Sequence, residues 1–122
     1  MKHILLVDDV STNLKCEGMI LQDIYKVTML KAGEEAIEYL KTTIPDLMIL
    51  DIRMKNMDGY EVMEHMNGNP ATANIPVMLL TADYKQESRA RGIALGAIDF
   101  ITKPVDPQTL LDRVAAVWET EE

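Results

Sequence analysis

Three stretches of this chain run apolar with no polar interruption: Ile4-Leu5-Leu6-Val7, Leu47-Met48-Ile49-Leu50 and Val77-Met78-Leu79-Leu80. A strand with one wet face alternates apolar and polar residues, whereas an unbroken run suits a strand covered on both faces, as in the parallel sheets of α/β proteins. Each run also ends in a polar group: Asp8 and Asp9 after the first, Asp51 after the second, Thr81 after the third. In open α/β sheets ligands bind in the crevice outside the carboxyl ends of the strands, so side chains delivered there are placed for chemistry rather than packing.

The segments between the runs read as helices and turns. Ser11 or Thr12 can cap a helix running to about residue 22, with Leu14, Gly18 and Leu21 on one stripe, Ile20 and Ile24 beside it, and Cys16 as ordinary packing. Residues 26–30 alternate weakly, as a short strand near an edge would, and Gly33 then begins the helical pattern Ala36, Ile37, Leu40, which Pro45 closes off. After Asp51 the polar loop Arg53-Met54-Lys55-Asn56-Met57-Asp58-Gly59 turns the chain into a helix marked by Val62, Met63 and Met66, which stops at Asn67-Gly68-Asn69-Pro70. Pro76 opens the strand that ends at Thr81, a residue that would also suit a helix cap. A helix over residues 86–95 follows, with Gly96 at its cap, then a strand over residues 98–101 that leads into Lys103-Pro104. Asp106 caps and Pro107 starts a last helix with Leu110, Leu111, Val114 and Val117 inward and Trp118 near its end, before a solvated tail over residues 119–122. Five strands alternating with five helices predict an α/β, flavodoxin-like fold: a doubly wound five-stranded parallel sheet with right-handed crossovers, for which 2-1-3-4-5 is a common order.

At 122 residues the chain suits one domain with an ordinary core and leaves no room for a second. Twelve basic against twenty acidic residues, a formal charge of -8, argue against nucleic acid or an anionic membrane as the principal partner. The single cysteine, Cys16, cannot form an internal disulfide and has no metal-binding companions, which favours a reducing compartment, the cytoplasm by default. The first apolar run is too short for a signal peptide or membrane span. Nine methionines fall mostly on strands and inward stripes, as core filler. His3 and His65 stand isolated and exposed in this reading and receive no role.

In a 2-1-3-4-5 sheet the first and third strands are neighbours, so Asp8, Asp9 and Asp51 meet in one crevice. Three close carboxylates repel, and a hard divalent cation with oxygen ligands, Mg2+, relieves them. Thr81 and Lys103 arrive from the fourth and fifth strands. A cation, an ammonium and a hydroxyl around a carboxylate are what a phosphoryl group needs, because its equatorial oxygens carry charge during transfer. Asp51 is then a candidate nucleophile forming an aspartyl phosphate.

These residues resemble the receiver domain of two-component response regulators over essentially the whole chain. The resemblance rests on Val7-Asp8-Asp9, on Asp51 with Met57-Asp58-Gly59 after it, on Thr81-Ala82 and on Lys103-Pro104. It implies that residues 1–122 form one receiver domain, standing alone or cut from a longer protein. It also implies that Asp51 is the phosphoacceptor, that Asp9 and Asp51 hold Mg2+ with the backbone carbonyl of Arg53, and that Asp8 acts largely through metal-bound water. Thr81 and Lys103 are expected to contact the phosphoryl oxygens, Phe100 falls at the aromatic switch position beside Thr81, and the Lys103-Pro104 bond is expected to be cis. The expected activity is a signalling switch that catalyses its own phosphorylation and dephosphorylation, rather than a metabolic enzyme. It would take its phosphoryl group from a histidine kinase or histidine phosphotransfer protein and act on a downstream protein target or a missing output domain, through the last strand and last two helices.

Three departures from the family pattern stand out. Met54-Lys55 replaces the usual Met-Pro, Phe100 lacks the hydroxyl of a tyrosine, and Arg53 and Asp83 occupy the positions that flank the path of a hydrolysing water. Neither of the latter is an obvious group to orient that water, so a long-lived aspartyl phosphate is expected. Two rival readings fit less well. A flavodoxin cradles a phosphate with a hydroxyl-rich loop where this chain has Asp8 and Asp9, and an aspartate-nucleophile phosphatase uses a second acid where it has Arg53.

Overall fold

The computed structural model describes residues 1–82 and 86–119. The elements alternate strictly: β1 His3–Val7, α1 Ser11–Leu21, β2 Lys26–Leu30, α2 Gly33–Tyr39, β3 Leu47–Asp51, α3 Gly59–Asn67, β4 Val77–Thr81, α4 Gln86–Ala94, β5 Asp99–Thr102 and α5 Pro107–Val117. The five strands form one parallel sheet in the order β2-β1-β3-β4-β5, as expected of a flavodoxin-like doubly wound fold. β3 and β4 are buried at every residue, and β1 at every residue after His3.

The unbroken apolar runs have a direct physical cause. Successive strand residues point to opposite faces, and each face has its own core. Leu5, Val7, Met48, Leu50, Val77 and Leu79 pack on the side of α2 and α3, with Ala36, Val62 and Met63. Ile4, Leu6, Leu47, Ile49, Met78 and Leu80 pack on the side of α1 and α5, with Leu14, Leu21, Leu110 and Val114. No helix among the described residues is long and apolar enough to cross a membrane.

Several local expectations are corrected. Neither Ser11 nor Thr12 caps α1: Val10 occupies the cap position in extended conformation without a side-chain cap bond, and its N–H is taken by Asp8 Oδ1 at 3.0 Å. The helix ends at Leu21, so Ile24 lies beyond the stripe and is exposed, and Cys16 points outward rather than into the core. β5 runs one residue later than expected; Ile98 keeps a backbone bond to Val77 O at 2.9 Å while its side chain is exposed. Thr81 is the last residue of β4, paired in the sheet rather than standing at a helix start. His3 is not isolated: its Nε2 lies 2.8 Å from Thr28 Oγ1 and 3.4 Å from the Tyr39 hydroxyl. Met48, Met63, Met66 and Met78 do fill the core, but Met19 and Met29 are exposed. Asp106 caps α5 as expected, accepting from Thr109 N at 2.9 Å, and Gly96 takes a left-handed conformation at φ 103°. Of the expected tail, residues 120–122 lie outside the described residues.

Candidate functional site

Side-chain alternation continues past the strand ends and sorts the polar groups. Asp8 follows Ile4 and Leu6, Asp51 follows Leu47 and Ile49, and Lys103 follows Ile101, all on the α1/α5 side. Asp8 and Asp51 are buried, and Lys103 crosses from β5 to join them. Its Nζ lies 3.1 Å from Asp8 Oδ2 and 3.0 Å from Asp51 Oδ2. The Lys103-Pro104 peptide is cis. Burial pulls the Lys103 ammonium toward a lower pKa, but Asp51 and then Asp8 outweigh it, and the net shift is upward. Burial likewise pushes Asp51 up to about 6, against the opposing pull of Lys103 and with help from Asp8.

The β3–α3 connection brings the backbone close. A Cβ on Gly59 would lie 2.6 Å from Asp51 O, so only glycine lets α3 start directly against the strand end, where Gly59 N bonds Ile52 O at 2.8 Å. Asp58 and Glu61 then close a reciprocal capping box. Beside Asp51 opens a cleft of about 520 Å3, lined by Asp9, Arg53, Lys55, Thr81, Ser88 and Arg91 among others. Lys55 N donates to Asp9 Oδ2 at 3.1 Å across its mouth. One carboxylate oxygen each from Asp8, Asp9 and Asp51 lie within 4.8 Å of one another. An all-carboxylate oxygen set of this size fits a hard divalent cation such as Mg2+.

The expected phosphoacceptor, metal and phosphoryl-contact residues within the described structure reach this end of the sheet, and Phe100 lies further back. Asp8, Asp9, Asp51 and Lys103 converge, and Thr81 and Arg53 line the adjoining cleft. Asp83 lies outside the described residues. Phe100 is two residues from the Thr81 register and turned inward, 9% exposed, against Gly92 of α4.

The sequence reading missed Glu17. It sits on α1, only 3% exposed, against Asp8, and its Oε1 has no hydrogen-bond partner among the described residues. Burial first, then Asp8, push its carboxyl up to about 8. The signal was present, because position 17 lies three residues after Leu14 and four before Leu21, on the buried stripe of α1.

A family model for the response regulator receiver domain matches residues 4–115. This chain belongs to the response regulator receiver family. The receiver is 36% identical over 116 residues to the response regulator PleD of Caulobacter vibrioides, covering 94% of this chain and 26% of that protein. It thus spans about a quarter of PleD. Among solved structures it resembles the chemotaxis protein CheY4 of Vibrio cholerae, with a TM-score of 0.91 at 30% identity over 96% of this chain and 98% of that one. It also resembles the receiver domain of the sensor histidine kinase PA1611 of Pseudomonas aeruginosa, solved with a magnesium ion coordinated in its active-site cleft. There the TM-score is 0.85 at 26% identity, covering 96% of each chain. Receiver domains of this family serve phosphorylation-dependent signalling.

Proposed function

We propose that residues 1–122 act as one receiver unit in which Asp51 accepts a phosphoryl group from a histidine kinase or histidine phosphotransfer protein. The observation that carries this reading is the Lys103 ammonium held between Asp8 and the buried Asp51, beside an acidic oxygen cluster. A carboxylate oxygen of Asp51 attacks phosphorus, the phosphorus–nitrogen bond of the donor phosphohistidine breaks, and the imidazole nitrogen leaves with the electron pair. With its pKa near 6, Asp51 is mostly ionised above about pH 7 and needs no separate base. Lys103 already touches the Asp51 carboxylate and is placed to follow a phosphoryl oxygen. Thr81, at the neighbouring strand end and facing the cleft, is placed to donate its hydroxyl to another.

Mg2+ would be held by Asp9 and Asp51 with the Arg53 carbonyl, with Asp8 acting through metal-bound water; when bound it neutralises charge on the phosphoryl oxygens. The output is protein–protein contact through β5 and its flanking helices, in the cytoplasm. The excess of acidic over basic residues supports neither nucleic acid nor membrane as a direct partner. Intact mass after incubation with acetyl phosphate and Mg2+ tests the site. Wild type should gain one phosphoryl group and Asp51→Asn none. Labelling that persists in Asp51→Asn, or that proceeds fully with the metal chelated, would refute the assignment.

A further inference from the structure

Three carboxylates within 4.8 Å repel one another, yet they are not equally fixed. Asp8 and Asp51 are buried and share Lys103. Asp9 stands at the solvent side of the cluster, only half-buried, where a simple side-chain rotation into water would relieve the repulsion. One contact opposes that rotation: the N–H of Lys55, from the β3–α3 loop, donates to Asp9 Oδ2 at 3.1 Å. The loop is shaped to present it. Asn56 adopts φ 68°, and Met57 N turns back onto Lys55 O at 2.8 Å, so that the chain doubles over just after the donor. A proline at 55 would have no N–H to give.

We propose that the backbone amide of Lys55 is a positioning group that holds Asp9 in the carboxylate cluster, ready for a divalent cation. This rests on the reading of the cluster as an Mg2+ site. One oxygen of Asp9 keeps the amide while the other remains available to the cation. The bond thus replaces a rotational search by a preset ligand. The backbone donor, not the Lys55 ammonium, carries the effect.

Calorimetric titration of Mg2+ into wild type, Lys55→Ala and Lys55→Pro tests the proposal. Lys55→Ala keeps the amide and loses the ammonium, and Lys55→Pro loses both. The proline variant should bind Mg2+ about threefold to tenfold more weakly than the alanine variant, the effect of one solvent-exposed hydrogen bond of ordinary net strength. Equal or tighter binding by Lys55→Pro overturns the tether alone, whereas wild type that takes up no Mg2+ overturns the metal reading and the tether with it. A second measurement does not depend on the proline variant folding: amide hydrogen exchange at Lys55 in metal-free wild type and Asp9→Ala. Exchange should quicken several-fold when the Asp9 carboxylate is removed, and an unchanged rate overturns the proposal.

Discussion

At the scale of single residues, Glu17 carries a visible cost: a carboxyl 97% buried, with one oxygen unpartnered among the described residues, against the Asp8 carboxylate. Leaving such an oxygen unpaired is expensive even when the group is neutral, and more so when it is charged. Its pKa near 8 lies above the unfolded value of 4.5, so between those limits the native state binds more protons than the unfolded chain. Stability therefore falls as pH rises through that window. Asp51, raised to about 6, contributes a slope of the same sign over a narrower range. Thermal melts of the metal-free protein from pH 5 to pH 8, followed by the fluorescence of Trp118, read the effect. Glu17→Gln should melt close to wild type at pH 5 and about 3 °C or more above it at pH 8. Parallel profiles for the two proteins would mean that Glu17 ionises freely. Asp51→Asn tests the neighbouring carboxylate in the same way. It should melt higher than wild type at pH 8, by on the order of 1 kcal/mol of like-charge and burial relief. Equal or lower melting would show that the Lys103 pair outweighs the crowding.

At the scale of elements, packing decides what the residue pattern alone leaves open. The three buried strands were legible because both faces are covered, which erases the polar alternation and leaves an unmistakable run. The chemistry at their ends was legible for the same reason: Asp8, Asp51 and Thr81 each break an apolar run. Glu17 was hidden inside a helical stripe of Leu14, Gly18 and Leu21, where one acid reads as noise until α1 is seen to lie over the Asp8 and Lys103 face. The α1 cap was misread because Asp8 closes an Asx turn onto the Val10 amide and leaves Val10, not a hydroxyl residue, at the cap position. The contact of α4 with β5 is likewise invisible in sequence. A Cβ on Gly92 would lie 2.6 Å from Phe100 Cζ and 2.8 Å from Leu79 Cδ1, so the missing side chain is the seat of the Phe100 ring. Glycine to alanine within a helix ordinarily stabilises by up to about 1 kcal/mol. Here the clash should reverse the sign, and Gly92→Ala should cost about 1 kcal/mol or more in denaturant unfolding. Shrinking the ring with Phe100→Leu should recover part of that loss. Strictly additive effects in the double-mutant cycle would mean that ring and helix do not press on each other.

At the scale of the whole molecule, the site and the Phe100 seat are joined by two strands running side by side. Thr81 pairs in register with Thr102, and Leu79 with Phe100, so a change at the carboxyl end of β4 is one strand-repeat away from the ring. Lys103, one residue past β5, ties the end of that strand to Asp51 and Asp8 through its ammonium. The α4 side adds its own anchors: the Arg89 guanidinium lies 5.3 Å from the Phe100 ring centre, and Tyr60 of α3 donates to Ser88 O at 2.7 Å. Phe100 is turned inward, its ring seated against Gly92 and Leu79 at the junction of α4 with the sheet. On the proposed reading, phosphorylation changes which groups Lys103 and Thr81 hold, and therefore how the end of β5 sits against α4 and α5. A ligand shifts such an equilibrium only by its differential affinity for the two arrangements. Beryllofluoride with Mg2+, a phosphoryl mimic, should shift amide resonances around Asp51 and Thr81 and also in α4, β5 and the start of α5, while β2 and α2 stay nearly fixed. Gly92→Ala, which crowds the ring seat, should alter the α4 and β5 shifts in the unliganded protein without abolishing those at Asp51. Shifts confined to the loop after Asp51 in wild type would remove Phe100 from the switch and leave the receiver signalling through its site surface alone.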